Sequence, residues 1–352
     1  MREAPIMTDL ALRPSQPAAA PQPKPRYTVA DRAPRRLSDF LLRWETILVI
    51  LLAAVIIGNT LLSPYFLDLY NLADTTYNFS EKAIIALGMA LLILVREIDL
   101  SIAAIMALAA LAIGSLAAHG VAPPLLILAG LGVGLLCGAV NGLLVTRTGV
   151  PSIVITIGTM SLFRGIAQVT LGDQALTTYP DSYLALGQSY FITMPPTPLS
   201  FLIFLVLAIV FGVVLHGTAI GRQLFAIGAN PVAARFAGIR VDRLRFALFT
   251  LSGLLAGLAA VLLTARIGVV RPNIALGWEL DVVTMVVLGG VAISGGVGTI
   301  LGVVLAVFVL GLATFGLSLM NVPGIVINVL LGLLLILSIA APIVIRRFFG
   351  RF

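Results

Sequence analysis

Charge is what this sequence has least of: Asp, Glu, Lys and Arg make up 11% of its 352 residues, while 60% are hydrophobic. A soluble domain has about a quarter of its residues charged, so the solvent expected around most of this chain is lipid. Lysine is nearly missing, Lys24 and Lys82 being the only two. No glycine-rich loop ending in Gly-Lys-Ser or Gly-Lys-Thr is present, which excludes nucleotide binding by a phosphate-cradling loop. The single cysteine, Cys137, lies in an apolar run, leaving no disulfide framework and no thiolate metal cluster, and it reads as a small packing residue. The two histidines, His119 and His216, stand beside glycine at the ends of apolar runs, where a membrane-interface position is expected. Neither a paired His-Glu motif nor a nucleophile elbow occurs, so the sequence offers no site for enzymatic chemistry, a metal or a cofactor.

What charge there is sits in clusters. The net charge of +7 does not form the basic face or stripe of a nucleic-acid-binding protein. Arg32, Arg35, Arg36 and Arg43 precede the first apolar run, Arg222 to Arg245 fill one long loop, and Arg346, Arg347 and Arg351 end the sequence. The positive-inside rule makes all three regions, and with them both termini, cytoplasmic. Residues 1–43 are rich in Pro, Ala and Arg, lack the pattern of a cleaved signal peptide, and read as a disordered cytosolic tail.

The remainder, 44–352, reads as an all-α, polytopic membrane domain of about ten spans at about 20 apolar residues each. The expected spans are 45–62, 78–95, 100–118, 123–145, 151–170, 199–216, 246–265, 281–295, 299–318 and 323–345. The connecting segments 63–82 and 171–198 carry more acidic than basic side chains and suit the outside, whereas Arg266 and Arg271 fall in an outer loop and fit poorly. Two breaks interrupt the apolar pattern: Arg96-Glu97-Ile98-Asp99, and the glycines Gly289, Gly290, Gly295, Gly296 and Gly298, expected in helix packing or gating. The apolar stretch 83–95 covers only about 20 Å of a roughly 30 Å core, so either its helix begins earlier, near Tyr77, or the charges lie at membrane depth.

Three motifs recur in order: Glu97-Ile-Asp-Leu as Glu279-Leu-Asp-Val, Gly132-Val-Gly with Gly138 as Gly296-Val-Gly with Gly302, and Val150-Pro as Val322-Pro, each before Ile-Val-Ile. In the expected topology the copies cross the membrane in opposite directions, the mark of inverted repeats with a transport pathway at their interface. Glu97, Asp99, Ser101, Arg164, Glu279 and Asp281 are the pathway candidates, since polar groups at membrane depth face the bundle interior or water. Helix capping is the alternative for Asp99 and Ser101, and snorkelling to the outer interface for Arg164.

Loop 217–245 is long and well punctuated. Thr218 suits the start of a short helix that Gly228 ends; Asn230 suits an N-cap, Pro231 the first helical position and Gly238 the C-terminal cap. Two short helices rimmed by Arg222, Arg235, Arg240, Arg243 and Arg245 make either a docking surface or a site for anionic lipid.

The segment Gly221-Arg222 through Ala226-Ile-Gly228, Asn230, Ala233-Ala234-Arg235 and Gly238-Ile239 resembles the cytosolic signature of the ribose, xylose and arabinose class of permeases in ATP-binding-cassette importers. So do Ile98-Asp-Leu-Ser101, Asn141-Gly-Leu-Leu-Val145, Thr156-Ile-Gly-Thr-Met160 with Arg164-Gly165, and Leu288-Gly-Gly-Val with Gly295-Gly296 and Gly298-Thr299. The resemblance spans nearly everything from residue 44 onward. It implies a type II importer fold, in which two permease chains, identical or paralogous, form the pathway in a bacterial inner membrane. A periplasmic sugar-binding protein then docks outside, and separate ATPase subunits bind the 217–245 coupling loops. Gly221, Arg222, Gly228, Asn230, Ala234, Arg235 and Gly238 are the coupling residues this implies. Where the family commonly has Gly-Gly before Ile-Asp-Leu-Ser, this chain has Arg96-Glu97, which with Gly172-Asp-Gln-Ala and Tyr179-Pro looks like the L-rhamnose branch. Another pentose, hexose or autoinducer-type sugar is the alternative substrate, and an ion-coupled secondary transporter the alternative mechanism. Tyr179, Tyr183 and Tyr190 are expected at the outer interface, as aromatic anchors or as contacts for the binding protein.

Overall fold

The computed structural model describes residues 44–334 and 336, so the expected tail, the C-terminal arginines and the last part of the tenth span lie outside the described residues. The elements are α1 Trp44–Leu62, α2 Leu69–Leu94, α3 Ile102–Ala118, α4 Pro123–Thr148, α5 Ser152–Leu171 and α6 Asp181–Gln188. A hairpin follows, β1 Tyr190–Thr193 and β2 Pro196–Pro198, then α7 Leu199–Gly217, α8 Ala219–Ala229, α9 Pro231–Phe236 and α10 Val241–Ile267. The series closes with α11 Trp278–Leu288, α12 Ile300–Leu319 and α13 Gly324–Leu334. Among the described residues, seven helices are long and apolar enough to cross a membrane; α3 and α13 are shorter apolar helices.

Local chemistry sets several boundaries. Asp68 caps α2, its carboxylate accepting from the Tyr70 and Asn71 amides at 3.0 and 3.1 Å. α2 therefore starts well before Tyr77, and its 26 residues span about 39 Å, which puts Arg96 at the end of a full crossing. α4 opens on Pro123-Pro124 and stops at Gly149 in the left-handed region, φ +70°. Thr299 caps α12 by accepting from the Gly302 amide at 3.0 Å. The expected span 281–295 is instead an 11-residue helix, α11, which ends at Gly289 as the glycine run foretells.

The most intimate contact joins α4 to α10. Gly130, Gly134, Gly138 and Gly142 recur every four residues along one face of α4, and opposite them stand Gly253, Gly257 and the backbone at Phe246 and Phe249. A Cβ at Gly134 would strike the Gly253 carbonyl, and one at Gly253 would strike the Gly134 carbonyl. α2 lies at the centre, buried on almost every side, whereas α1 is exposed along most of its length and packs on α12.

Hydrogen bonds define two ends. At one, the break 95–101, α8, α9 and the break 289–299 meet. At the other, the α6 and hairpin segment covers the start of α2, with Tyr77 Oη donating to Ser189 O at 3.0 Å. Glu97 and Glu279 fall at opposite ends of the bundle, as do Val150-Pro151 and Val322-Pro323, the placement an inverted repeat requires. Local structure agrees only for the Val-Pro copies, each leading into a helix; Glu97 lies in a break, whereas Glu279 opens α11.

Candidate functional site: a polar junction where two helix breaks meet an external helix pair

α8 and α9 form as the capping residues direct. Thr218 accepts from the Gly221 amide at 3.4 Å. Asn230 accepts from Val232 and Ala233 at 3.0 and 3.1 Å with Pro231 in the first turn, and Gly238 takes φ +83° just after α9. Gly228 does not end α8, which continues through Ala229. Its missing side chain serves close approach instead, because a Cβ there would meet Leu94 O and the Gly296 amide. Gly221 likewise lies against the Leu215 backbone. Ala234 lies on the buried side of α9, and Arg235 makes an exposed ion pair with Asp242 at 2.6 Å.

Two breaks converge on this external pair. The Gly296 amide donates to Leu94 O at 2.9 Å, joining the α11–α12 break directly to the end of α2. Arg96 then reaches across: its Nε donates to Gly228 O at 2.6 Å and its Nη2 to Ala229 O at 2.7 Å. These are last-turn carbonyls of α8, where a cation is favoured by the helix dipole. Arg96 itself has φ +69°, a conformation non-glycine residues seldom adopt, in the segment where the family resemblance leads one to expect glycines. Glu97 points to the same junction and pairs with Arg245 at the start of α10, 2.9 Å away with its side chain 8% exposed. Nothing in these contacts makes Glu97 a pathway residue; it ties the break to α10.

Asp99 and Ser101 bond to each other, and Ser101 gives α3 no side-chain cap. Asp99 Oδ1 accepts from the Ser101 amide and hydroxyl at 3.0 and 2.6 Å, and Asn141 Nδ2 donates to Ser101 Oγ at 2.7 Å, all three side chains being fully buried. Break 95–101 is thereby anchored to α4. Ser152 at the start of α5 accepts from the Ile98 amide at 3.2 Å. The glycine run has its own role: Gly289 abuts the Val303 backbone, Gly290 lies against the Trp44 ring, Gly295 against Arg96, and Gly298 against Val291. Trp44 Nε1 donates to Leu288 O at 2.8 Å, which closes the end of α11.

The remaining candidates lie at the opposite end. Arg164 Nη1 donates to Ile274 O at 2.6 Å and Pro272 O at 3.2 Å, so it holds the 268–277 segment. Asp281 pairs with Lys82 at 2.6 Å, and Glu279 in the same first turn of α11 is half-buried. Arg266, expected in an outer loop, stands instead in the last turn of α10 and is matched by the wholly buried Glu81 at 2.9 Å, with Asn78 at 3.2 Å. No sequence spacing signals that pair, since 185 residues separate its members. The tyrosines correct an expectation: Tyr183 is buried against α10, donating to Val261 O at 3.0 Å with Thr264 Oγ1 2.7 Å away, and burial pushes its phenol up to about 12. Tyr179 stacks on it and is buried too, so neither faces the outside.

Comparison with known proteins agrees with this architecture. Residues 71–339 match a family described as branched-chain amino acid transport system / permease component. Ribose import permease protein RbsC of Bacillus subtilis (strain 168) is 33% identical over 288 residues, 81% of this chain and 88% of that protein. Autoinducer 2 import system permease protein LsrD of Escherichia coli (strain K12) is 36% identical over 299 residues, 84% and 91% of the two chains. That of Enterobacter sp. (strain 638) is 34% identical over 304 residues, 85% and 92%. No solved structure matches. A match over this share of the residues, on a bundle of apolar helices interrupted by two breaks, makes the chain a multi-pass membrane protein belonging to the permease-component family.

Proposed function

We propose that this chain is the permease subunit of an ATP-driven importer for a monosaccharide or a small sugar-like compound. The observation that carries the reading is the Arg96 junction. A preformed helix pair outside the apolar bundle is bonded through one guanidinium to the end of α2, and through Leu94 to the glycine break before α12. Movement of α8 is thus passed to both breaks at once, which is the linkage an external ATPase needs. In this reading the basic end, with α8, α9 and both termini, is cytoplasmic. A separate ATPase subunit binds α8 and α9, a second permease chain completes the pathway, and a soluble sugar-binding protein docks at the opposite end.

The relatives named for ribose and autoinducer-2 import support the substrate class. Within that class L-rhamnose is our first candidate, because of the Arg96-Glu97 variant before Ile-Asp-Leu-Ser. Deleting the chain is expected to abolish uptake of labelled L-rhamnose while sparing ribose and xylose; unchanged rhamnose uptake removes that substrate alone. Uptake by proteoliposomes that need an ion gradient and no ATPase would overturn the importer reading itself.

A further inference from the structure

At the end of the bundle away from the Arg96 junction, a cavity of about 380 Å³ opens between α2, α11, α12 and α13. That volume lies within the range of small-molecule sites. Its lining is divided in character. Lys82 and Asp281, whose side chains are 21% and 19% exposed, form one wall with Asn78 beside them. Thr314 and Ser318, one turn apart on α12, line it too, the Ser318 hydroxyl donating to Thr314 O and left as an acceptor, while Phe79 and Phe315 supply flat apolar faces. A charged donor-acceptor pair, an amide, hydroxyls and aromatic faces are the complement of a polyol, whose ring carries hydroxyls on its edge and C–H groups on its faces.

The pair is costly where it lies. Desolvating two charges is offset by their attraction only with good geometry and further hydrogen bonds, and ionisable groups at membrane depth mark pathways by default. Lys82 has three donors and Asp281 four lone-pair positions, of which their mutual bond at 2.6 Å uses one each. Vicinal hydroxyls can accept from the first and donate to the second without breaking the pair. Lys82 Nζ also stands 4.9 Å from the Trp278 ring centroid, which couples the site to an optical reporter. Trp44, the other tryptophan, is bonded to Leu288 at the opposite end and supplies a constant background.

Resting on the importer reading, we propose that this cavity is a polyol-binding subsite, with Lys82 and Asp281 as its polar anchors. The test titrates D-ribose and L-rhamnose separately into the purified chain in lipid nanodiscs and follows tryptophan emission, with Trp278→Phe as the control for the source of the signal. A saturable change is expected, with Lys82→Met and Asp281→Asn weakening it by about tenfold or more, the loss expected for hydrogen bonds to a charged group. Thr314→Leu leaves the ion pair intact and fills the space, so it is expected to abolish the change even if the charge variants fold poorly. No saturable response to either sugar in the wild-type chain, or an undiminished one in Thr314→Leu, overturns the proposal; a cavity filled by lipid gives the first of these results. ATP-driven uptake with no saturable emission change would remove the subsite and leave the importer reading standing. A saturable change without ATP-driven uptake would do the reverse.

Discussion

The α4–α10 seam and the Arg96 junction both bring helices into backbone contact, yet by opposite chemistry. Along the seam, glycine faces glycine and no polar side chain is needed, because each helix already satisfies its own backbone groups. At the junction, a guanidinium and one amide hydrogen bond reach carbonyls left open by helix ends, and an ion pair between side chains joins the break to α10. Close packing of the first kind has one optimal arrangement and no ready substitute. Bonds of the second kind can be exchanged for water when the helices part. The contrast separates a seam held by close packing from a junction held by polar bonds, and each side of it can be broken separately.

The largest effect is expected in the seam. Gly253→Val puts a branched side chain against Gly134 O and the Gly138 backbone, and overpacking of this sort costs about 3 kcal/mol or more. Thermal unfolding in detergent should drop sharply, with loss of folded yield. A variant as stable as the wild type would show that the seam opens readily and would erase the contrast.

Next comes α9. Ala234→Pro removes the Ala234 amide bond to Asn230 O, 2.9 Å in length, and costs about 3 kcal/mol locally. The chain is expected to stay in the membrane yet lose co-purification of the proposed ATPase partner. Retained co-purification with unchanged sugar-stimulated hydrolysis would make α8 and α9 a lipid-facing loop.

Arg96 sharpens the comparison further. Arg96→Gly relieves the left-handed backbone strain, about 1 kcal/mol, while removing two charge-assisted bonds worth about 1.5 kcal/mol or more each. Arg96→Ala removes the same bonds and keeps the strain. Both should leave insertion intact and lower uptake per ATP hydrolysed, the glycine variant being the more stable by melting temperature. Full coupling in both would end the proposed linking role of this residue. The smallest effect is that of Asn230→Ala, a lost cap worth about 1 kcal/mol, expected as faster amide exchange in α9 with transport largely kept.

What was legible in the sequence was whatever depends on neighbours in the chain. Asn230, Pro231 and Gly238 bound α9 because caps act over two to four residues. The breaks at 96–99 and 289–298 were visible as departures from an apolar run. Glu97 stands against an arginine, and in sequence a charge beside an apolar helix looks alike whether it faces a pore or a basic partner. Its partner Arg245 lies far along the chain and is brought alongside only when α10 packs. Gly228 was misread as a helix stop for the same reason: a glycine that admits another backbone and one that ends a helix are the same letter.

The sequence alone determined that the chain is helical, apolar and polytopic, where its two interruptions fall, and that a capped helix pair projects between α7 and α10. Those are properties of composition and short-range bonding, which survive without knowledge of neighbours. Tertiary structure alone decided that Arg96 serves α8, that Glu81 neutralises Arg266, that the α4 glycines face those of α10, and that Lys82 pairs with Asp281 in the wall of a cavity. Each is a contact between residues about 100 to 200 positions apart, and in a bundle of similar apolar helices only packing selects which faces meet.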